Sequence, residues 1–162
     1  VAENLLSLAE ETAQIQRALV HGDVSPKNIL LGPKGPVILD AECAWYGDPA
    51  FDIAFCLNHL LLKCLVNPPR AIALKECFVA MAEAYLVHVD WERRDLLEAR
   101  VARLLPGLLL ARCDGKSPVE YLTDERDRDF VRSVAIVMLQ APAMRTAEVA
   151  STWFESLENH LR

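Results

Sequence analysis

The sequence predicts a mainly α-helical fold with one short β-hairpin, and three observations support this prediction. Apolar residues recur at helical spacing over most of the chain. Two short apolar runs, 28–31 and 36–39, flank the turn signal Gly32-Pro-Lys-Gly35. Capping residues followed by proline mark the starts of several helices. With 162 residues, 52% of them hydrophobic, the chain can form a single domain, residues 1–162, with a sizeable core.

We expect one helix before the hairpin and five after it. The first is predicted from Glu3 to Leu19, where apolar residues lie near one helical stripe. Pro106 is expected to end or kink the third of the later helices. The later helices have expected bounds of 48–66, 67–89, 91–105, 123–140 and 146–161, with a short helical turn opened by Ser117-Pro118.

Composition argues against several classes of function. The net charge of -6, without any basic run, argues against nucleic-acid binding and is compatible with a cationic or neutral ligand. No apolar run is long enough to span a bilayer, so we expect no membrane partner. Five cysteines without C-x-x-C spacing, and no visible signal peptide, indicate reduced thiols in a cytoplasmic protein.

The unusual residues concentrate in the loop before the hairpin and in the hairpin itself. If the strands pair about a turn centred near Lys34, Asn28 lies opposite Asp40, with Cβ atoms about 5 Å apart. An amide oxygen and a carboxylate at that separation can share a magnesium ion, which prefers few protein oxygens plus phosphates and water. Asp23 enters the same end of the hairpin. The same three residues are also common in turns and caps, which is the plainer explanation.

Phosphoryl transfer needs such an arrangement. Its transition state requires a positioned hydroxyl, an acceptor for the hydroxyl proton and a metal that neutralises phosphate charge. Asp23 suits the role of proton acceptor, and Asn28 and Asp40 suit the role of metal ligands. The pattern therefore predicts a catalytic site with magnesium and a nucleotide.

The motif His21-Gly-Asp-Val-Ser-Pro-Lys-Asn28, followed by a strand ending in Asp40, resembles the catalytic loop and metal-binding aspartate of protein kinases. The His-Gly-Asp form, with Gly47-Asp-Pro-Ala-Phe-Asp52 after it, resembles the aminoglycoside phosphotransferase and choline kinase group more closely. This resemblance covers residues 20–54. It implies the C-terminal catalytic lobe of a protein-kinase-like α+β fold, with ATP or GTP as co-substrate. The N-terminal lobe that would hold most of the nucleotide is expected to be missing from this chain.

The resemblance also suggests roles for neighbouring residues. Ser25 occupies the position of a protein-kinase lysine, and its hydroxyl is expected to donate a hydrogen bond to phosphate. Lys27 either binds phosphate or, as we slightly favour, points to solvent. Glu42 binds a second metal, binds a substrate ammonium group or faces solvent. The resemblance makes His21 a structural brace of the loop.

Two residues of the following helix have expected structural roles. Asp52 lies in an apolar setting and is expected to be a buried acid that needs hydrogen-bond partners, and the resemblance implies that these are backbone amides of the catalytic loop. His59, on the same helix, is expected to be a core or rim histidine rather than a ligand.

The leading hypothesis is a nucleotide- and magnesium-dependent phosphotransferase. Its acceptor would be a hydroxyl of an aminoglycoside, an amino alcohol, a sugar or a related metabolite. A rival is a non-catalytic pseudokinase or an isolated lobe that serves only as an interaction module. A metabolite-binding helical protein without a nucleotide is a third possibility.

Overall fold

Helices form most of the molecule, as the sequence predicts, and the computed structural model describes residues 1–162. Three short 3-10 turns, at Pro26–Asn28, Ala41–Cys43 and Pro68–Arg70, lie between the main elements. The elements, in chain order, are α1 (Ala2–Gln14), β1 (Ala18–Val20), β2 (Ile29–Gly32), β3 (Gly35–Ile38), β4 (Trp45–Gly47), α2 (Ala50–Val66), α3 (Ala71–Val87), α4 (Arg94–Asp114), α5 (Glu125–Gln140) and α6 (Thr146–His160).

Helix α2 lies at the centre of the core and packs against both α3 and α4. Of its 17 residues, 13 are buried, which explains why its sequence is apolar on nearly every side. Trp153 of α6 and Leu61 of α2 are completely buried in the same core. None of the helices is both long and apolar enough to cross a membrane. Packing in this large core fixes the position of α2, and the candidate site lies at the N-terminal end of this helix.

The predicted end of the first helix is wrong. Helix α1 ends at Gln14, and Ala18–Val20 forms strand β1, which pairs antiparallel with β4. The register places Ala18 opposite Gly47 and Val20 opposite Trp45. The expectation of a single strand pair is therefore also wrong, because the structure contains a second two-stranded sheet. This sheet places the start of the His-Gly-Asp loop next to the start of α2.

The predicted hairpin is confirmed, but its register differs from the prediction by one residue. Ile29 pairs with Ile38 and Gly32 with Gly35, so the turn consists of only Pro33 and Lys34. The turn is centred between these two residues rather than on Lys34. As a result Leu39, whose amide donates to the Asn28 carbonyl at 2.8 Å, takes the position predicted for Asp40.

The helices after α2 follow the prediction with three exceptions. A 3-10 turn at Pro68–Arg70 precedes α3, so this helix starts at Ala71 rather than at residue 67. Helix α4 starts at Arg94 and runs through Pro106 to Asp114, so the proline does not end it. Pro106 is buried in the core, where packing outweighs the loss of one backbone hydrogen bond. The short helical turn expected at Ser117-Pro118 is not present. Helices α5 and α6 are confirmed, and Asp124 caps α5 by accepting from the Arg126 amide at 2.8 Å.

A buried ionic network ties the start of α2 to α4. Asp48 accepts from the Ala50 amide at 3.0 Å, but α2 starts one residue later than a cap at Asp48 predicts, with Pro49 in the cap position. The same carboxylate also binds Arg100 at 2.9 and 3.1 Å, and Arg100 binds Glu92 at 2.8 Å. Burial lowers the pKa of Arg100, but its hydrogen bonds to Glu92 and Asp48 together raise the pKa by more than burial lowers it. The net pKa is therefore above the ordinary value for arginine. The guanidinium therefore stays charged and fixes the β4–α2 junction on the helical core.

Candidate active site

The loop that follows β1 is held in place by Asp52, in the first turn of α2. The His21 amide donates to Asp52 Oδ2 at 2.7 Å, and the Gly22 amide donates to Oδ1 at 2.9 Å. These backbone amides are the partners that the family resemblance implies for Asp52. The residue is half-buried rather than fully buried, which corrects that part of the expectation. One carboxylate thus fixes two consecutive peptide groups of the loop.

Gly22 is required at the turn of this loop. Its φ angle is +85°, a region that residues with a side chain rarely adopt. A Cβ atom here would lie 2.6 Å from the Cys43 carbonyl oxygen and 2.7 Å from the Trp45 ring. The glycine therefore lets the loop pass closely beneath the segment that leads into β4.

Replacing Asp52 with alanine is expected to destabilise the fold by about 1–3 kcal/mol, because two loop amides lose their acceptor. Chemical denaturation of the parent and of Asp52→Ala measures the free energy of unfolding. Asp52→Asn retains one carbonyl oxygen, so we expect an intermediate loss. An Asp52→Ala protein as stable as the parent would show that the two amide contacts do not support the loop.

His21 connects the loop to the end of the hairpin. Its Nε2 lies 3.0 Å from the Leu39 carbonyl, and its Nδ1 accepts from the Asp23 amide at 3.3 Å. Both contacts are satisfied by a neutral ring whose proton is on Nε2. This arrangement uses both ring nitrogens in structural contacts and fits a bracing role for His21.

Asp23 and Asn28 are in direct contact. Asn28 Nδ2 donates to the Asp23 carbonyl at 2.9 Å and to Asp23 Oδ2 at 2.8 Å. Asn28 is 7% exposed, whereas the Asp23 side chain is 25% exposed. These two hydrogen bonds use the Asn28 amide nitrogen and Asp23 Oδ2. The Oδ1 atoms of Asn28 and Asp23 have no hydrogen-bond partner in the protein. The pair therefore offers one fixed carboxylate oxygen and one amide oxygen for further contacts.

Asp40 lies one residue beyond the position opposite Asn28. It is exposed, its side chain makes no hydrogen bond, and its backbone is left-handed, with φ 68° and ψ 55°. Asp40 is the one non-glycine residue with a positive φ in the chain. Aspartate tolerates this conformation better than most residues, but it remains costly, and such strain is concentrated at functional sites. The residue after the hairpin thus presents an unpaired carboxylate on a strained backbone.

The other candidate residues differ in how accessible they are. Ser25 is 1% exposed, and its Oγ has no partner, so a contact with phosphate would require the loop to open. Lys27 is exposed, with Nζ 3.8 Å from Asp23 Oδ2. Glu42 is exposed and makes no ion pair. No three His, Cys, Asp or Glu side chains lie close enough to hold a metal together.

His59 is a core histidine, as the sequence predicts. It is 5% exposed, and its Nδ1 lies 2.9 Å from the Tyr121 hydroxyl. Burial, together with the positive charges of Arg112 and Lys63, lowers the pKa of His59 to about 4. Sequence reasoning did not associate His59 with Tyr121 or Arg112, which are more than fifty residues away in the chain.

The lowered pKa of His59 predicts a loss of stability in acid. Folding keeps this ring neutral, so its contribution is complete above its ordinary pKa of 6.5 and is lost as the pH falls toward about 4. We expect acidification over that range to destabilise the parent more than His59→Gln. The free energy of unfolding measured against pH tests this, with exposed His88→Gln as the control. Equal pH slopes in the parent and in His59→Gln would contradict the prediction.

Comparison with known proteins adds to this geometry. A sequence model of the phosphotransferase enzyme family matches residues 1–97, more than half of the chain. A probable ketoamine kinase in tonB 3'region of Klebsiella pneumoniae is 46% identical over 46 residues, which are 28% of this chain and 37% of that protein. A probable ketoamine kinase of Klebsiella aerogenes is also 46% identical over 46 residues, which are 16% of its length. The matched segment therefore spans well under two thirds of these curated relatives.

Proposed function

The chain belongs to the phosphotransferase enzyme family, and from that premise we propose that it transfers the γ-phosphate of ATP or GTP to a hydroxyl group of a small molecule. The observation that carries this proposal is the Asp23–Asn28 pair, placed on a loop that Asp52 holds by two hydrogen bonds. A carboxylate fixed in this way has one oxygen directed by Asn28 and the other available to a substrate.

In the proposed reaction, Asp23 Oδ1 accepts the proton of the acceptor hydroxyl. The hydroxyl oxygen forms a bond to the γ-phosphorus, and the bond from that phosphorus to the bridging oxygen breaks, which releases the nucleoside diphosphate. Asn28 keeps Asp23 oriented through its amide nitrogen. Exposed Lys27 remains a candidate for contact with the phosphate groups.

We propose magnesium as the metal that accompanies the nucleotide. The donor set fits, since Asn28 Oδ1 is free, and the Asp40 carboxylate is exposed and unpaired. Two such oxygens leave positions for phosphate oxygens and water, as magnesium prefers. Bound there, the metal would neutralise charge on the phosphate groups.

An exposed apolar surface supports the presence of a second lobe beside this site. Leu19 and Leu31 are 77% and 86% exposed. Further exposed apolar side chains on the two sheets are Leu30, Val37, Ile38 and Tyr46. A surface of this kind is typical of an interaction site. We propose that a β-rich nucleotide-binding lobe covers this apolar surface.

We also propose that the protein is cytoplasmic, because its five cysteines are all free thiols.

The test is nucleotide turnover with and without that lobe. Residues 1–162 alone are expected to bind ATP feebly and to transfer no phosphate at a measurable enzymatic rate. Joined to a β-rich nucleotide-binding lobe, they are expected to phosphorylate an acceptor from a panel of aminoglycosides, amino alcohols, sugars and ketoamines. Ketoamines are included in the panel because two relatives are named as probable ketoamine kinases.

Two outcomes would change the proposal. If the joined protein binds nucleotide well but is inert with every acceptor, the non-catalytic alternative is favoured. If the 162 residues turn over alone, the nucleotide site is complete within this chain and the need for a second lobe is refuted.

A further inference from the structure

One face of α2 leads away from the catalytic loop toward a group of positively charged residues. Asp52, His59 and Lys63 are separated by seven and four residues, so they lie near the same side of the helix. The helical rise places His59 about 10 Å and Lys63 about 16 Å from the level of Asp52. A small molecule with its hydroxyl at Asp23 would extend along this face.

Aromatic rings connect the residues around His59. Its ring lies 5.1 Å from that of Phe55, and its Nδ1 is hydrogen-bonded to Tyr121. Lys63 Nζ lies 4.8 Å from the centre of the Tyr121 ring, and the Arg112 guanidinium lies 5.4 Å from that of Phe55. A cavity of about 500 Å³, lined by Lys63, Arg70 and Tyr121 among others, opens beside them. We call Lys63, Arg70 and Arg112 the basic cluster.

The basic cluster has no acidic partner. Lys63, Arg70 and Arg112 form no ion pair, although the chain has 23 acidic residues against 17 basic ones. In contrast, Arg100 binds two carboxylates and Arg132 binds three. Cation–π contacts account for part of the packing of Lys63 and Arg112. They leave Arg112 Nε and His59 Nε2 buried without a hydrogen-bond partner.

The same face of α2 starts at the loop that carries Asp23. Asp52 holds that loop by two hydrogen bonds, and His59 lies about two helical turns further along α2. An anion bound beside His59 would be attracted by the unpaired charges of Lys63 and Arg112, about 10 Å along the helix from the level of Asp52.

We propose that the basic cluster, with His59 and Tyr121, binds a carboxylate group on the acceptor whose hydroxyl is placed at Asp23. This inference rests on the proposed function and narrows its acceptor class. It favours a sugar derivative that carries an acidic group, such as a ketoamine formed from an amino acid. It disfavours polycationic acceptors such as aminoglycosides, despite the acidic balance of the whole chain.

The experiment compares two acceptors that differ only in charge: a ketoamine of an amino acid with its carboxylate free, and the corresponding carboxamide. Calorimetric binding to the 162-residue chain is measured first. KM and kcat are then measured on the protein joined to its nucleotide-binding lobe. We expect the carboxylate form to have a dissociation constant and KM lower by roughly tenfold or more, with a similar kcat.

The variants Arg112→Gln and Lys63→Gln are each expected to remove most of this preference, by weakening binding of the carboxylate form more than binding of the carboxamide form. Lys75→Gln is the matched control, because Lys75 Nζ lies 4.9 Å from the centre of the Phe154 ring in the same type of contact. Lys75→Gln should keep the preference. Using two variants at separate sites guards against one of them failing to fold.

Each outcome is decisive. Equal affinity for the two acceptors, or a preference that persists in both variants, would overturn the basic cluster as a carboxylate site. A carboxylate preference in binding without phosphorylation of either acceptor would support the site and count against the proposed phosphotransfer. The two proposals can therefore fail separately.

Discussion

Asp23→Asn is expected to lower the rate of phosphate transfer by about 10²–10⁴-fold while nucleotide affinity changes little. The substitution keeps the shape of the side chain, and an asparagine oxygen can still accept from Asn28 Nδ2, which now lies 2.8 Å from Asp23 Oδ2. What is lost is the carboxylate that accepts the hydroxyl proton. Turnover of the protein joined to its nucleotide-binding lobe, with nucleotide affinity measured separately, tests this expectation.

The matched control is Asp90→Asn, which makes the same chemical change at an exposed position between α3 and α4. It should leave the rate unchanged. If Asp23→Asn transfers phosphate near the parent rate, Asp23 is not the proton acceptor. If nucleotide affinity falls together with the rate, the loop has been disturbed, and the contacts made by Asp52 become the better explanation.

The helices were predictable because their signals are local. Asp124 and the following residues predict the start of α5 from a cap that the structure contains. The cap and proline at Asp48-Pro49 likewise predict the helix at 48–66, whereas its burial at the centre of the core is seen only in the structure. Tertiary packing overrode local rules at Pro106, where a long helix continues through a proline that is covered by neighbouring helices.

The second sheet was not predictable from local pattern. Ala18, Leu19 and Val20 continue the apolar spacing of α1, and nothing in the three residues themselves indicates a strand. Their strand conformation comes from pairing with Trp45–Gly47, more than twenty residues later. The predicted hairpin register was wrong for a related reason. The two candidate turn centres differ by half a residue, which shifts the register by one residue, and only the closed turn distinguishes them.

The loop that we propose to be catalytic could be recognised in the sequence because its residues lie within eight positions and carry a dense motif. The basic cluster was missed because Lys63, Arg70 and Arg112 are scattered over three parts of the chain and match no spacing. The net charge of the chain gave no indication of this cluster. Although the chain is acidic overall, cations without an ion pair lie around His59. A local charge pattern of this kind emerges only when α2, α4 and the segment before α5 are packed together.

Asp40→Ala is expected to lower magnesium-dependent transfer by about 10²-fold or more while the fold is retained. Asp40 is exposed and makes no hydrogen bond, so its removal leaves no protein group without a partner. The loss would come from the missing carboxylate toward the metal. Measuring turnover against magnesium concentration at fixed nucleotide, with circular dichroism and the free energy of unfolding, separates activity from stability.

The left-handed backbone at Asp40 supplies the control. Alanine at φ 68° is strained, so Asp40→Ala changes both the carboxylate and the local conformation. Asp40→Gly removes the carboxylate but adopts this conformation readily, and it should be as inactive as Asp40→Ala without being less stable than the parent. If Asp40→Gly restores transfer, the backbone rather than the carboxylate is what matters at this position. If both variants turn over near the parent rate at every magnesium concentration, Asp40 is not a metal ligand.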